Sequence, residues 1–128
     1  MSNPRLYLGT AQWGMDYGCA NVTGQPSLDE IKAMLKIARD NNIYHLDTAQ
    51  CYGDSEKILG LCNVMKSGFK VSTKLKLENS SFTKDYIARM CEKSLSNLKS
   101  DHLNGLMIHN SEEFLGQFRD PIWEQMVS

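Results

Sequence analysis

"HLDTAQCYGDSEKILG" (His45–Gly60) joins two patterns that do not belong to one element. Upstream, the apolar run "IYHLDTA" (Ile43–Ala49) has strand length and ends in small polar residues. Downstream, apolar residues recur at helical spacing, with Asp54 or Ser55 placed to cap a helix. The stretch reads as a strand-to-helix hinge. Asp47, Tyr52, Gly53 and Glu56 stand at the change of pattern.

The same alternation extends to both sides. "RLYLGT" (Arg5–Thr10), "FKVSTKL" (Phe69–Leu75) and "LNGLMIHN" (Leu103–Asn110) are three further strand-length runs. "SLDEIKAMLKIARDNN" (27–42) places Ile31, Met34, Leu35 and Ala38 on one helix face. Ser27 and Glu30 form a capping-box pattern at its start, and Asn41 and Asn42 suit its end. "DSEKILGLCNVMKSG" (54–68) predicts a shorter helix closed by Gly68. "TKDYIARMCEKSLSNLKSD" (83–101) predicts a long one, capped by Thr83, with Ile87, Met90, Cys91, Leu95 and Leu98 inward. "SEEFLGQFRDPIWEQMVS" (111–128) predicts a last helix with Pro121 in its first turn.

The order β-α-β-α-β-α-β-α predicts an α/β fold with a parallel sheet and right-handed crossovers. No linker or low-complexity tract divides the 128 residues, so one domain is expected over 1–128. Two architectures satisfy this order. One is a small doubly wound sheet, flavodoxin-like if it binds FMN. The other is part of a (β/α)8 barrel, which takes about 250 residues. The first strand-to-helix connection, "GTAQWGMDYGCANVTGQP" (9–26), is long and has no G-x-G-x-x-G, which disfavours a dinucleotide-binding doubly wound sheet.

Composition excludes several functions. The formal net charge is −1, so no footprint for nucleic acid or an anionic membrane is visible. No apolar run approaches the roughly 20 residues that span a bilayer. "MSNPRLYLGTAQWG" at the amino end has no secretory pattern, and a soluble cytoplasmic protein is expected. Cys19, Cys51, Cys62 and Cys91 form no CxxC pair and have no histidine at finger-like spacing. They are expected to be reduced, mostly small apolar fillers, with Cys51 partly exposed in the hinge.

In parallel α/β folds, functional side chains collect at the carboxyl ends of the strands. Asp47 and Tyr52 follow the second strand, Lys74 ends the third and His109 the fourth. A curved parallel sheet would bring acid, phenol, ammonium and imidazole to one rim. A phenol ionises near pH 10 in water, and an adjacent ammonium favours the phenolate. A carboxylate keeps that ammonium charged and in place, and an imidazole can orient a carbonyl. Together they make a general acid for an oxygen gaining negative charge, as in carbonyl reduction by hydride. Each also has an ordinary reading: a loop cap for Asp47, packing for Tyr52, a surface lysine for Lys74, a structural histidine for His109. Their coincidence at successive strand ends favours the functional one. His45 shares the strand parity of Asp47 but lies a layer below the rim; it and His102 are read as structural.

"DTAQCYGDSEKILG" resembles the aldo-keto reductase signature, in which Asp-Thr-Ala is followed by Tyr-Gly, Ser-Glu and Leu-Gly. "LGTAQWG", "STKL" and "LMIHN" extend the resemblance in the right order. It implies a (β/α)8 TIM barrel that uses NADPH, without metal, to reduce a small carbonyl substrate. It makes Tyr52 the proton donor, Lys74 and Asp47 its tuning pair, and His109 the residue that positions the carbonyl. Thr10, Ala11 and Asp47 would line the nicotinamide ribose. Trp13 would wall the substrate pocket or else cover the barrel mouth. Glu56 would support the hinge or the helix start.

The resemblance reaches the N-terminal half of such a barrel, about four βα units. In the family, the units that follow carry the carboxamide-binding Ser-Asn pair, the aromatic group stacked on nicotinamide and the basic loops for the phosphates. Three expectations stand side by side: a fragment of a longer reductase, a half-barrel that self-associates through open strand edges, or a non-catalytic remnant acting as a binding module. In each, Val71 and Ile108, or their neighbours by parity, face the absent wall.

Overall fold

Among the described residues, the β-prone runs become four short strands: β1 (Tyr7–Gly9), β2 (His45–Asp47), β3 (Lys70–Leu75) and β4 (Gly105–Ile108). They form one parallel sheet in chain order β1-β2-β3-β4, with Leu8 beside Leu46, Leu46 beside Val71, and Leu75 beside Ile108. The computed structural model describes residues 6–77, 85–115 and 118–127. The expected start of the first strand at Arg5 and the expected cap at Thr83 lie outside these.

Among the described residues, six helices connect or flank the strands: α1 (Ala11–Gly14), α2 (Leu28–Asp40), α3 (Ser55–Leu61), α4 (Tyr86–Leu98), α5 (Ser111–Leu115) and α6 (Arg119–Val127). α2 starts as its sequence predicts. Ser27 accepts from the Glu30 backbone N–H, while the Glu30 carboxylate accepts from the Ser27 backbone N–H at 2.8 Å. The chain leaves α2 through Asn42 at φ 60°, a conformation asparagine tolerates. Three details depart from the sequence reading. The long first connection contains α1. The 54–68 segment is helical only to Leu61 and ends in turns closed by Gly68 at φ 86°. The last helix is two, α5 and α6, with Pro121 in the first turn of α6, where no intrahelical N–H is needed.

The strand pleat fixes which side chains meet the helices. Val71, Thr73 and Leu75 are fully buried, and the residues between them are not. Leu46 and Val71 pack with Ile31, Leu35 and Ala38 of α2, Leu59 of α3 and Leu98 of α4. Leu75 packs with Ile87 and Ile122, with Leu106 and Ile108 against them. Burying each such aliphatic side chain contributes about 1.5–3 kcal/mol. Val71 and Ile108 are therefore on the helix side. The opposite face carries their neighbours by parity: Tyr7, His45, Asp47, Lys70, Ser72, Lys74 and Met107. His45 lies half-buried against the Tyr7 ring, with centroids 4.7 Å apart.

The cysteines only partly match expectation: all four are free thiols, three half-buried, while Cys19 is exposed. Among the described residues, no helix is long and apolar enough to cross a membrane.

Candidate active site

β2 ends at Asp47, and the chain beyond it stays bonded to β3. Thr48 N–H donates to Ser72 O and Gln50 N–H to Lys74 O. Gln50 then reaches outward; its amide donates to Met90 O at 2.7 Å and Ser94 Oγ at 2.8 Å on α4. This pins the stretch just before Tyr52 to a helix. Tyr52 N–H closes a turn onto Ala49 O, and Gly53 follows at φ 55°.

A buried hydroxyl network fixes the other side. Thr48 Oγ1 donates to Ser55 Oγ, which lies 2.8 Å from Thr10 Oγ1 and 3.0 Å from Thr10 O. Thr10 Oγ1 donates in turn to Asp47 O at 3.0 Å. Thr10, Thr48 and Ser55 are fully buried, so each needs the partner it finds. The network ties the ends of β1 and β2 to the first turn of α3.

The four residues expected at the rim converge. Lys74 Nζ is 2.6 Å from Asp47 Oδ2 and 3.2 Å from Thr48 O. The side chains of this pair are 18% and 31% exposed, so its charges are largely out of water. The same Nζ stands 5.3 Å from the centroid of the Tyr52 ring. The exposed His109 meets that ring edge-on at 5.8 Å and is fixed by its backbone N–H to Leu75 O. Cys51 Sγ lies 3.5 Å from His109 Nδ1, a contact that sequence spacing did not suggest.

A cavity of about 320 Å³ opens beside Asp47 and Tyr52, with Gly9, Thr10, Ala11, Gln12 and Tyr17 completing its lining. Thr10 and Ala11 thus line a cavity next to Asp47, and the Thr10 hydroxyl is engaged by Asp47 O and Ser55. Trp13 does not wall this cavity. It is 4% exposed and belongs to the hydrophobic core, because α1 turns its side chain inward. Tyr17 is the exposed aromatic here, with its ring 6.5 Å from that of Tyr52. Glu56 stands in the first turn of α3, where it was expected to support the helix start, but it does so through buried side-chain partners. It is 3% exposed, accepting from Thr73 Oγ1 at 2.7 Å and Asn97 Nδ2 at 3.0 Å, so it joins α3 to β3 and α4. A larger hollow of about 620 Å³, lined by Met65, Lys66, Leu95, Lys99 and His102 among others, contains none of the four rim residues.

An ammonium held by a carboxylate beside a phenol, with an imidazole at the phenol's edge and a cavity alongside, is suited to proton transfer to a bound oxygen. The fold that carries it occurs in known proteins. The chain aligns over 94% of its length with 49% of a Pseudomonas aeruginosa protein assigned to the aldo-keto reductases, at 26% identity and a TM-score of 0.74. It aligns over 80% with 34% of a Klebsiella pneumoniae aldo-keto reductase solved with NADPH, at 26% identity and a TM-score of 0.60. A Bombyx mori aldo-keto reductase solved with NADP aligns over 82% of this chain and 34% of its own, at 26% identity and a TM-score of 0.58. The chain therefore spans about half the length, or less, of these relatives, and its sheet matches part of their (β/α)8 barrel. None of the curated proteins matches the sequence significantly. The sequence model of the Aldo/keto reductase family matches residues 5–124, and the chain belongs to that family.

Proposed function

We propose that this chain supplies the proton-transfer half of an NADPH-dependent oxidoreductase that reduces an aldehyde or ketone to an alcohol. The observation that carries the reading is the placement of Lys74 Nζ, 2.6 Å from Asp47 Oδ2 and 5.3 Å from the centre of the Tyr52 ring. Tyr52 donates its hydroxyl proton to the substrate oxygen as negative charge develops there. The Lys74 ammonium stabilises the phenolate left behind, and Asp47 holds Lys74 in place. His109, beside Tyr52, hydrogen-bonds the carbonyl oxygen and orients it. Tyr17 offers an aromatic surface to the body of the substrate.

The cavity next to Tyr52 fits one end of a nicotinamide cofactor. Asp47 can accept a hydrogen bond from a ribose hydroxyl, and Ala11 leaves room at the wall. The lining contains no lysine or arginine, so phosphate groups find no cation there. The cofactor supplies the hydride when bound. NADPH and NADP accompany two of the related structures, which supports the same cofactor class here.

The test is Tyr52→Phe in the NADPH-dependent reduction of a panel of aldehydes and ketones. Loss of a general acid lowers kcat by about 10²–10⁴-fold, with NADPH affinity, read by cofactor fluorescence, unchanged. Activity indifferent to Tyr52→Phe would sink the proposal.

A further inference from the structure

Cys51 and Tyr52 are neighbours in sequence, and both meet His109. They belong to the loop after β2, whereas His109 follows β4, and β3 lies between those strands. The side chains therefore bridge the end of β3. The loop is held on both sides of Cys51. Gln50 N–H donates to Lys74 O and the Gln50 amide to α4, while Tyr52 N–H closes onto Ala49 O. The His109 backbone is fixed as well, through its N–H to Leu75 O. What the backbone leaves open is the rotation of the imidazole.

The half-buried Cys51 thiol is almost equally far from the two ring nitrogens: Sγ lies 3.5 Å from Nδ1 and 3.6 Å from Nε2. A hydrogen bond along the in-plane direction of one nitrogen would leave the other much farther away. An in-plane approach between the two would drive the sulfur into Cε1. The sulfur therefore lies over the ring face, a contact that polarisable sulfur makes favourably with aromatic rings. Both nitrogens keep their in-plane directions for other hydrogen bonds. The Tyr52 ring stands nearly perpendicular to the imidazole, at 84° with centroids 5.8 Å apart.

We propose that Cys51 is a positioning residue: its thiol packs on the His109 imidazole and keeps that ring turned to Tyr52, with the ring nitrogens free for a carbonyl oxygen. This rests on the proposed carbonyl reduction, in which Tyr52 and His109 act on one oxygen. Two groups that bind the same atom must be fixed relative to each other, because a small misplacement costs rate. Cys51 acts through His109 and touches no reacting atom. Its place next to Tyr52 in the chain makes the coupling. A shift of the loop carries thiol and phenol together, and the imidazole follows.

NMR of the 128-residue chain, as wild type, Cys51→Ala and Cys51→Ser, tests it. In the wild type, nuclear Overhauser contacts should join the Cys51 β-protons and the Tyr52 ring to the His109 ring. Cys51→Ala should weaken the Tyr52–His109 contact and move the His109 ring signals, with His45, His102 and the circular dichroism unchanged. Cys51→Ser keeps a small polar atom on the same β-carbon and should restore the contact in part. In NADPH-dependent carbonyl reduction, kcat/KM for the carbonyl should fall about 2- to 10-fold in Cys51→Ala, the range that a sulfur–ring contact spans. NADPH affinity should not change. Unmoved His109 signals, or a displaced ring with undiminished turnover, would overturn the proposal. A wild-type chain that reduces no carbonyl would remove the proposed reaction, and the ring contacts alone would then decide whether Cys51 holds His109.

Discussion

Gly14 lies directly against the Tyr52 carbonyl: a β-carbon at position 14 would collide with that oxygen and with the Ser55 backbone nitrogen. The contact is reciprocal, since a β-carbon at Gly53 would meet Gly14 O, which accepts from Asp54 N–H at 3.0 Å. α1 therefore sets the height of the loop that carries Tyr52. Gly14→Ala must push this loop outward, at a cost of about 1–3 kcal/mol for overpacking a tight site. Urea unfolding of the variant should show that loss. The Tyr52–His109 ring contact should loosen, visible as altered ring proton shifts. Wild-type stability and shifts would show that α1 does not position Tyr52.

Lys74→Met removes the cation between Asp47 and Tyr52 at nearly constant volume. Asp47 then keeps a half-buried carboxylate without its 2.6 Å partner. Hydrogen bonds to charged groups contribute about 1.5–3 kcal/mol, and solvent at Asp47 favours the lower end. The double variant Lys74→Met/Asp47→Leu should be less destabilised than the sum of the singles, because it leaves no orphaned charge. Denaturant midpoints of the four proteins check this, and additive effects would mean the pair is uncoupled. Carbonyl reduction should fall with Lys74→Met even where stability suffices.

The hinge at 45–60 was legible because two periodicities meet there, and one side of a strand end must carry its polar residues. The Ser27–Glu30 capping box was legible because it is a local contact of fixed spacing. Trp13 and Glu56 were not. Nothing in "TAQWG" says that α1 will turn Trp13 into the core, because the path of that connection is set by its fit against Tyr52 and Ser55. A carboxylate in the first turn of a helix reads as a partner of the helix dipole. That Glu56 is instead buried depends on Thr73 and Asn97, which are 17 and 41 residues away. Parity likewise related Val71 to its neighbours while leaving open which set would meet the helices. The site was readable where residues follow strand ends in order, and unreadable where side chains from distant segments complete it.

The thiols should separate by reactivity. Burial raises the pKa of Cys62, with Lys32 partly opposing, and burial together with Glu92 raises that of Cys91. A raised value means less thiolate at a given pH, and the thiolate is the nucleophile. Near neutral pH, Cys19, which is exposed, should react first with Ellman's reagent, and Cys62 and Cys91 last. The slow pair should gain rate as the pH rises past the ordinary thiol range. Four equal rates would contradict the burial of α3 and α4 against the sheet.

Glu56 and Gly60 test how closely α3 approaches α4. A β-carbon at Gly60 would collide with Asn97 O, and one turn earlier the Asn97 side chain donates to Glu56. The two contacts fix the same helix pair, one by close approach and one by hydrogen bonds. Glu56→Gln keeps an oxygen for either donor but brings an amide N–H where Thr73 or Asn97 already donates. Glu56→Leu leaves both Thr73 Oγ1 and Asn97 Nδ2 without this partner, at about 1–3 kcal/mol for each group left unsatisfied. Stability should therefore fall in the order wild type, Glu56→Gln, Glu56→Leu. Gly60→Ala should add to neither variant in full, because separating the helices relieves the collision and breaks the Asn97 bond together. Full additivity in chemical denaturation would show that the glycine contact and the carboxylate act on different parts of the fold.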